Sequence, residues 1–299
     1  MNWNWIKIHQ KAYKKNNSAL NMSFKKKLIF VPFLGRIILF LFRTKIAIKI
    51  LFQKFIEIFK WLIFSKELTN YTYNLHPLNK AHLICFISLI TGKKFSEIEG
   101  YIKEIEKDEE LKKHIKHYTK KNKSKIAADL EPKYGRRIGW YAFVRALKPK
   151  IVVETGVDKG LGACILLAAL KKNVEEGHQG YYYGTEIDLK KGYLLNGAYS
   201  EYGEILYGDS IKSLLKLDKK IDIFINDSDH SSEYEKKEYE IIKNKLNKDS
   251  IILGDNCLCT NELLKFSLKQ KRKFLLFQER SKDHWYPGAA IGASFNRLK

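Results

Sequence analysis

In the second half of the chain, successive apolar runs end in acidic side chains. These side chains are the candidates for ligand binding or catalysis. Glu154 ends the run that begins at Ile151, and Glu186 and Asp188 end the run that begins at Tyr181. A carboxylate in the second of these positions can accept hydrogen bonds from the ribose hydroxyls of a nucleotide. The two runs therefore predict a nucleotide site.

Three later apolar runs, residues 203–207, 221–226 and 250–254, are followed by polar groups in the same way. Ligands of open α/β sheets bind beyond the carboxyl ends of the strands, so we expect these groups to converge on one crevice. They are, in chain order, Asp209 and Ser210, then Asp227, Asp229 and His230, and last Asp255 and Asn256.

The elements that would position these groups follow from the apolar residues and the glycines. The run up to Glu154 is followed by Gly156 and Gly160 and by a second apolar segment over 163–170. This order is typical of a buried parallel strand, a tight turn and a helix. Dinucleotide-binding enzymes share much of the loop. Strands predicted over 273–279 and 289–296, with no helix between them, would instead set the last strand antiparallel.

Residues 126–299 resemble the class I S-adenosylmethionine-dependent methyltransferases. The first loop of that family has an acidic residue followed by three glycines at alternate positions, and this chain has Asp158 at the middle glycine. The resemblance implies an α/β fold with a Rossmann-like, doubly wound, mostly parallel seven-stranded sheet. Its last strand is antiparallel, and a helical N-terminal region precedes it. A dinucleotide-type or degenerate nucleotide fold is the alternative.

The resemblance also implies which residues bind the cofactor. The first loop would hold the methionine end of S-adenosylmethionine, the end of the second strand its ribose hydroxyls, and the end of the third strand its adenine. The residues concerned are Glu154, Gly156, Asp158 and Gly160 for the methionine end, Glu186 and Asp188 for the ribose, and Asp209 and Ser210 for the adenine.

Within the superfamily, the order of residues after the fourth and fifth strands resembles the metal-dependent O-methyltransferases that act on catechols, caffeoyl-CoA and sugars. By that resemblance Asp227, Asp255 and Asn256 would hold Mg²⁺, for which carboxylate and amide oxygens are suitable ligands. Asp227 and His230 would be catalytic, with His230 as general base because its unperturbed pKa lies nearest neutrality. Alternatively, Asp227 caps a helix, residues 255–256 form a turn, and His230 is a supporting hydrogen-bonded group.

The net charge of +22 is distributed unevenly along the chain. Residues 1–70 contain 14 Lys/Arg and 2 Asp/Glu (+12), residues 71–149 contain 17 and 9 (+8), and residues 150–299 contain 24 and 22 (+2). A protein that methylates folded RNA needs positive charge around its active site, because phosphate contacts supply most of the affinity. We therefore expect no nucleic-acid partner.

Residues 28–64 are the most apolar part of the chain, and Lys25, Lys26 and Lys27 precede them. Seven charged residues interrupt this stretch, and each costs about 2.5–3.5 kcal/mol at the centre of a bilayer, which argues against a transmembrane helix. A secretory signal does not fit either. We expect residues 1–65 to lie on an anionic membrane surface. The alternative is a helical hairpin, broken near Pro32–Gly35, that packs on the catalytic domain or in a homodimer.

The predicted domains are a basic apolar segment over 1–70, a charged connector over 71–125 with one exposed helix from Ser96 to Lys121, and the methyltransferase domain over 126–299. Four scattered cysteines are too few for a disulfide framework, which favours a cytoplasmic protein. The expected location is the inner membrane surface.

The predicted function is O-methylation of a hydroxyl on a small or lipid-linked acceptor, for example a sugar of a cell-surface glycan. Two alternatives stay open. One is N-methylation of a metabolite, a protein or RNA, although the chain lacks an Asn/Asp-Pro-Pro-aromatic sequence after the fourth strand. The other is a catalytically silent, membrane-tethered scaffold that binds the nucleotide only structurally.

Overall fold

The computed structural model describes residues 32–68 and 70–296, so the predictions for the first 31 residues lie outside it. The chain divides into two compact units, Met1–Phe59 and Lys60–Lys299. In the first unit, helix α1 begins at Pro32 and continues without interruption through the boundary to Phe64. The helix therefore has no break within Pro32–Gly35, and a turn before Pro32 would lie outside the described residues. Among the described residues, no helix is long and apolar enough to cross a membrane.

The second unit begins with a group of helices before the sheet. Strand β1 (Asn74–Leu75) is followed by α2 (Pro77–Thr91), α3 (Phe95–Glu106) and α4 (Glu109–Lys121). The prediction of one exposed helix from Ser96 is wrong. Asp108 separates two helices by accepting a hydrogen bond from the backbone N–H of Leu111 at 2.8 Å, and the N-cap of α3 is Lys94. Both helices bury apolar residues in the same core as the helices of the sheet.

Most of the remaining elements alternate between helices and strands, as the repeated order of buried apolar runs and amphipathic segments predicts, but no α-helix separates β3 from β4 or the last three strands from one another. They are α5 (Arg137–Leu147), β2 (Ile151–Thr155), α6 (Leu161–Glu175), β3 (Tyr181–Glu186), β4 (Gly203–Tyr207), α7 (Ser210–Lys216), β5 (Ile221–Asn226), α8 (Ser232–Ile242), β6 (Leu246–Gly254), α9 (Glu262–Lys269), β7 (Lys273–Gln278), β8 (Ser281–Lys282) and β9 (Ala290–Phe295). Single 3₁₀ turns cover Lys123–Ala127 and Gly197–Glu201.

Seven strands form one sheet in the order β4-β3-β2-β5-β6-β9-β7. The first five run parallel, and β9 runs antiparallel to both β6 and β7. The predicted mostly parallel sheet with an antiparallel last strand is confirmed. The chain winds outward from β2 to β4 and then returns to add β5 on the other side of β2. Ligands of such sheets bind at this reversal of strand order.

Candidate functional site

Two cavities adjoin at the carboxyl ends of the central strands. The first, of about 450 Å³, lies over β3, β4 and β5 and is lined among others by Glu186, Asp209 and Ser210. The second, of about 250 Å³, lies over β2 and the start of α6. Gly156 and Asp227 line both cavities. The structure thus brings the predicted strand-end residues to one crevice, at the reversal of strand order.

Glycine at position 156 lets the first loop lie against the backbone that follows β5. Gly156 has φ of 84°, in the left-handed region that only glycine adopts without strain. A Cβ atom at this position would clash with the carbonyl oxygen of Asp227. Gly160 has φ of 96° where the loop enters α6. The two glycines that the chain shares with the family pattern therefore have backbone reasons to be glycine.

Asp158, which replaces the middle glycine, keeps the loop geometry with a left-handed φ of 47°. Its backbone N–H donates to Oε2 of Glu186 at 2.7 Å, and the N–H of Asp188 donates to Oε1 at 2.9 Å. The Glu186 carboxylate is thereby fixed at the edge of the larger cavity. The Asp158 carboxylate accepts from Asn70 at 2.6 Å and from Lys191 at 2.5 Å. Burial alone would raise the pKa of Asp158, but the hydrogen bonds from Lys191 and the Lys159 backbone, together with the charges of both lysines, lower that pKa.

Glu154 is almost completely buried at the end of β2 and accepts a hydrogen bond from the Tyr182 hydroxyl. Burial is the main reason that its pKa is raised to about 8, and the nearby carboxylate of Asp227 adds to the shift. Glu154 lines the smaller cavity. A cationic ligand group there would favour its ionised form.

The Glu238 carboxylate, behind the larger cavity, accepts hydrogen bonds from four residues that lie at strand ends, in a loop and at a helix start. Glu238 of α8 is 0% exposed. Its oxygens accept from Ser210, from Ser228 at 2.9 Å, from Thr155 at 3.1 Å and from the side-chain N–H of Asn226. These donors lie at the ends of β2 and β5, in the loop after β5 and at the start of α7. Glu238 therefore sets the spacing of the segments that line the cavity.

The predicted adenine residues have defined partners. Asp209 caps α7 by accepting from the backbone N–H of Lys212 at 2.9 Å, and it accepts from the Tyr234 hydroxyl at 3.1 Å. The Ser210 hydroxyl points inward to Glu238 and lies 2.9 Å from the Tyr234 hydroxyl. The assignment of these residues to adenine stays a prediction.

Asp227, His230 and Asn256 come together above β5 and β6. Nε2 of His230 lies 3.6 Å from Oδ1 of Asp227 and 2.8 Å from Nδ2 of Asn256. Burial alone would lower the pKa of His230, but the carboxylates of Asp227 and Glu235 raise it to about 10. Burial, followed by the neighbouring Asp255, raises the pKa of Asp227 to about 7. His230 was predicted to be the base because an unperturbed histidine has a pKa near neutrality. In the structure it is Asp227 whose pKa lies near neutrality.

The predicted metal ligands are also brought together, since ligand atoms of Asp227, His230 and Asp255 lie within 4.8 Å of one another. However, the guanidinium of Arg136 donates to both carboxylate oxygens of Asp255. Arg137 lies 3.7 Å from Oδ2 of Asp227. Two fixed positive charges thus neutralise the two carboxylates already. In this arrangement the cluster does not fit a magnesium ion, which needs open oxygen ligands.

A bound methionine group fits the smaller cavity better than a metal does. Arg137 is only 8% exposed, and its Nε has no hydrogen-bond partner among the described residues. Arg137, Lys159 and Glu154 all line this cavity. The cavity thus offers positive charge for a carboxylate and negative charge for an ammonium group, the two charged ends of an amino acid. These charged side chains would suit the methionine end of S-adenosylmethionine.

Residues 153–257 match the family model described as a methyltransferase domain. This match covers the first loop, the strand ends and the Asp227–Asn256 cluster. These residues are thus similar to a methyltransferase domain. The prediction from the sequence is confirmed in fold and in enzyme class.

Several solved methyltransferase structures resemble the chain. The S-adenosylhomocysteine-bound methyltransferase PaMTH1 of Podospora anserina is 16% identical with a TM-score of 0.46, and the match covers 64% of this chain and 88% of that one. The O-methyltransferase of Bacillus cereus in complex with S-adenosylhomocysteine is 12% identical with a TM-score of 0.48, and the match covers 62% and 91%. The O-methyltransferase TomG of Streptomyces achromogenes, involved in tomaymycin synthesis and in complex with S-adenosylmethionine, is 11% identical with a TM-score of 0.47, and the match covers 64% and 91%. The sequence has no significant match among curated proteins.

Sequence reasoning missed several residues of this site. Arg136 and Arg137 are a pair of basic residues at the start of the apolar helix α5, a position where a buried charge needs a partner. Glu238 lies on the face of α8 that also buries Tyr239 and Ile242. A carboxylate on an apolar helix face is a readable signal of a buried polar network. Asn70 carries no such signal.

Proposed function

We propose that the domain transfers the methyl group of S-adenosylmethionine to a hydroxyl oxygen of a small or lipid-linked acceptor, such as a sugar. The observation that carries the proposal is the position of Asp227. It lines both cavities, and its pKa is raised to about 7. A neutral hydroxyl must lose its proton as it is methylated, so a base poised near neutrality beside the methionine cavity supports this reaction.

In the proposed reaction, bound S-adenosylmethionine supplies a methyl group on a positively charged sulfur. The acceptor oxygen forms a bond to the methyl carbon while the carbon–sulfur bond breaks, and Asp227 takes the hydroxyl proton. His230 lies between two carboxylates, with its Nε2 3.6 Å from Oδ1 of Asp227 and its Nδ1 3.5 Å from Oε1 of Glu235, and its charge helps to orient Asp227. The proton then passes from Asp227 to solvent through the open side of the larger cavity. Positioning and proton removal are the protein's contribution.

The cofactor half of the proposal can be tested without knowing the acceptor. We expect calorimetry to show that the purified chain binds S-adenosylhomocysteine in preference to NAD. Glu186→Ala should weaken binding by roughly tenfold or more, because charge-assisted hydrogen bonds contribute about 1.5–3 kcal/mol. Glu204→Ala, one strand away on an exposed position, is the control. Tight NAD binding with no response to S-adenosylhomocysteine would refute the cofactor assignment.

The acceptor half requires transfer. Lipid and glycan extracts incubated with the chain and methyl-labelled S-adenosylmethionine should acquire label, and mass spectrometry should find a gain of one methyl group on oxygen. Asp227→Asn should slow the labelling by about 10²–10⁴-fold while leaving S-adenosylhomocysteine affinity largely unchanged. Labelling confined to nitrogen atoms would favour the N-methyltransferase alternative, and no labelling of any extract would favour a silent scaffold.

We also propose that α1 holds the protein at an anionic membrane surface. Pro32–Phe64 contains six Lys/Arg and one Glu, so the helix carries a net charge of +5. Large apolar side chains recur at every seventh position, and each is exposed. They are Leu34, Leu41, Ile48, Phe55 and Leu62. Phe40, Phe52 and Phe59 widen this apolar surface beyond the narrow seam of a two-helix coiled coil. A wide apolar face with flanking cations suits the interfacial plane of a bilayer.

Vesicle flotation tests this location. The full chain should float with vesicles containing phosphatidylglycerol at low salt and be partly released at high salt, because salt screens the attraction between cations and lipid. Leu41→Ser with Phe55→Ser should reduce flotation. The matched control is Leu89→Ser with Leu268→Ser, which changes two equally exposed leucines outside α1. A full chain that stays unbound at low salt would favour packing of α1 in a homodimer.

A further inference from the structure

Arg136 lies beside Asp255, one of the residues predicted to bind a metal ion. To bind the ion, the Asp255 carboxylate would have to be free of other partners. The residue precedes α5 and is 7% exposed, and the Asp255 side chain beside it has no exposed surface. Its Nε and one terminal nitrogen donate to the two oxygens of Asp255. The other terminal nitrogen lies 3.7 Å from Oε1 of Glu279. One guanidinium thus bridges two buried carboxylates, one directly after β6 and one directly after β7.

A two-pronged contact of this kind uses both Asp255 oxygens. The planar guanidinium matches a carboxylate in two parallel hydrogen bonds, and it keeps its charge at any pH that a protein survives. A metal ion that used the lone pairs facing Arg136 would have to displace the guanidinium, and one that used the remaining lone pairs would lie beside a buried positive charge. The second guanidinium, that of Arg137, lies on the Asp227 side of the same cluster. The two guanidinium charges therefore offset those of Asp255 and Asp227 without a metal.

Glu279 gives the arginine a second reason to stay in place. Its Oε2 accepts from the Tyr73 hydroxyl at 2.8 Å, while Oε1 has no hydrogen-bond partner among the described residues and faces Arg136 alone. Movement of the guanidinium toward solvent would remove the positive neighbour from both buried carboxylates. The position of Arg136 is thus determined from two sides.

We infer that Arg136 takes the place of the divalent cation beside Asp255, and that the domain transfers methyl groups without a bound metal. The guanidinium acts as a positioning residue, because it fixes Asp255 next to Asp227. The statement that methyl transfer needs no metal rests on the proposed function. The statement that the Asp255 site binds no metal does not. The two can therefore fail separately.

The test is binding of Mn²⁺, followed by electron paramagnetic resonance of the free ion. The wild-type chain should show no saturable site in the micromolar range. Arg136→Met removes the guanidinium and opens the Asp255 carboxylate, so Mn²⁺ should bind at least about tenfold more tightly, as expected for one gained carboxylate ligand. Adding Asp255→Asn to that variant should abolish the gain. Arg272→Met is the control, because Arg272 bonds only serine and backbone oxygens and its loss frees no carboxylate.

Saturable binding of Mn²⁺ by the wild-type chain that disappears in Asp255→Asn would overturn the inference. That comparison decides the question even where Arg136→Met fails to fold. Calorimetry with S-adenosylhomocysteine on the same metal-free wild-type preparation keeps the two claims apart. Loss of cofactor binding there would count against the proposed function, whereas cofactor binding without Mn²⁺ binding supports both.

Discussion

The Cα of Gly156 faces the carbonyl oxygen of Asp227 so closely that a Cβ atom has no space between them. This contact joins the loop after β2 to the residue after β5, and both residues line the two cavities. The cofactor loop and the proposed base are therefore set by the same backbone contact. A change at Gly156 should disturb binding and catalysis together.

Gly156→Ala tests this coupling. Alanine at φ of 84° is strained, which costs about 1–3 kcal/mol, and its methyl group must also displace the backbone of Asp227. We expect a lower melting temperature and a loss of roughly tenfold or more in S-adenosylhomocysteine affinity. The control is Gly177→Ala, because Gly177 has φ of 85° but no atom near its missing Cβ. Equal losses of affinity in the two variants would show that the clash with Asp227 has no functional effect.

Glu238→Gln should weaken cofactor binding although Glu238 does not line the cavity. The amide replaces one acceptor oxygen with a donor that faces the hydroxyl and amide donors of Ser210, Ser228, Thr155 and Asn226. We expect S-adenosylhomocysteine affinity to fall by about tenfold, because several hydrogen bonds to a charged group are lost at about 1.5–3 kcal/mol each and are only partly replaced. The turnover number at saturating cofactor should change much less.

A double-mutant cycle separates positioning from general destabilisation. If Glu238 acts through Ser210, the combination of Glu238→Gln and Ser210→Ala should lose less affinity than the sum of the single changes. Glu240→Gln is the matched control on the same helix, because Glu240 is exposed and pairs only with Lys269. Additive effects, or an affinity loss that follows the melting temperature across all variants, would contradict a positioning role.

The pH dependence of the rate should identify the base. A base must be deprotonated to act, so kcat/KM should rise as the pH increases through about 7, the raised pKa of Asp227. Asp227→Asn should lower the rate by about 10²–10⁴-fold. A limb near pH 10 would instead assign the base to His230. Because Glu154 titrates near pH 8, the profile is repeated in Glu154→Gln, where a limb near 7 should persist.

Much of the fold could be predicted because the strands of a parallel sheet are buried on both faces. Their apolar runs are continuous, and their polar ends are obvious in a sequence. The two helices over 95–121 were harder to predict. Ile98, Ile102 and Ile105 are spaced for one buried helix face, yet the many charges around them favoured an exposed helix. The burial of that face depends on α5, which lies elsewhere in the sequence.

Many residues of the site could be predicted from the sequence, but the ion pairs between them could not. The sequence places carboxylates at strand ends, but the contact between Arg136 and Asp255 joins residues 119 positions apart. The same limit applies to His230, whose pKa depends on its distance from Asp227 and Glu235 rather than on its own chemistry. Residue type predicts the candidates for a site, whereas ionisation states and open ligand positions require the three-dimensional arrangement.

Glu154 shows what this arrangement costs in stability. Its pKa is about 8 in the folded protein and near 4.5 when unfolded, so between these values the folded state binds a proton that the unfolded state does not. Stability should therefore fall as the pH rises from about 4.5 to 8, by about 1.4 kcal/mol per unit at most. Glu154→Gln mimics the protonated acid at every pH. It should raise the melting temperature at pH 8.5 by several degrees, change it little at pH 4.5, and weaken S-adenosylhomocysteine binding through loss of the carboxylate. Calorimetry in both buffers checks this, and an equal change in melting temperature at the two pH values would contradict the raised pKa.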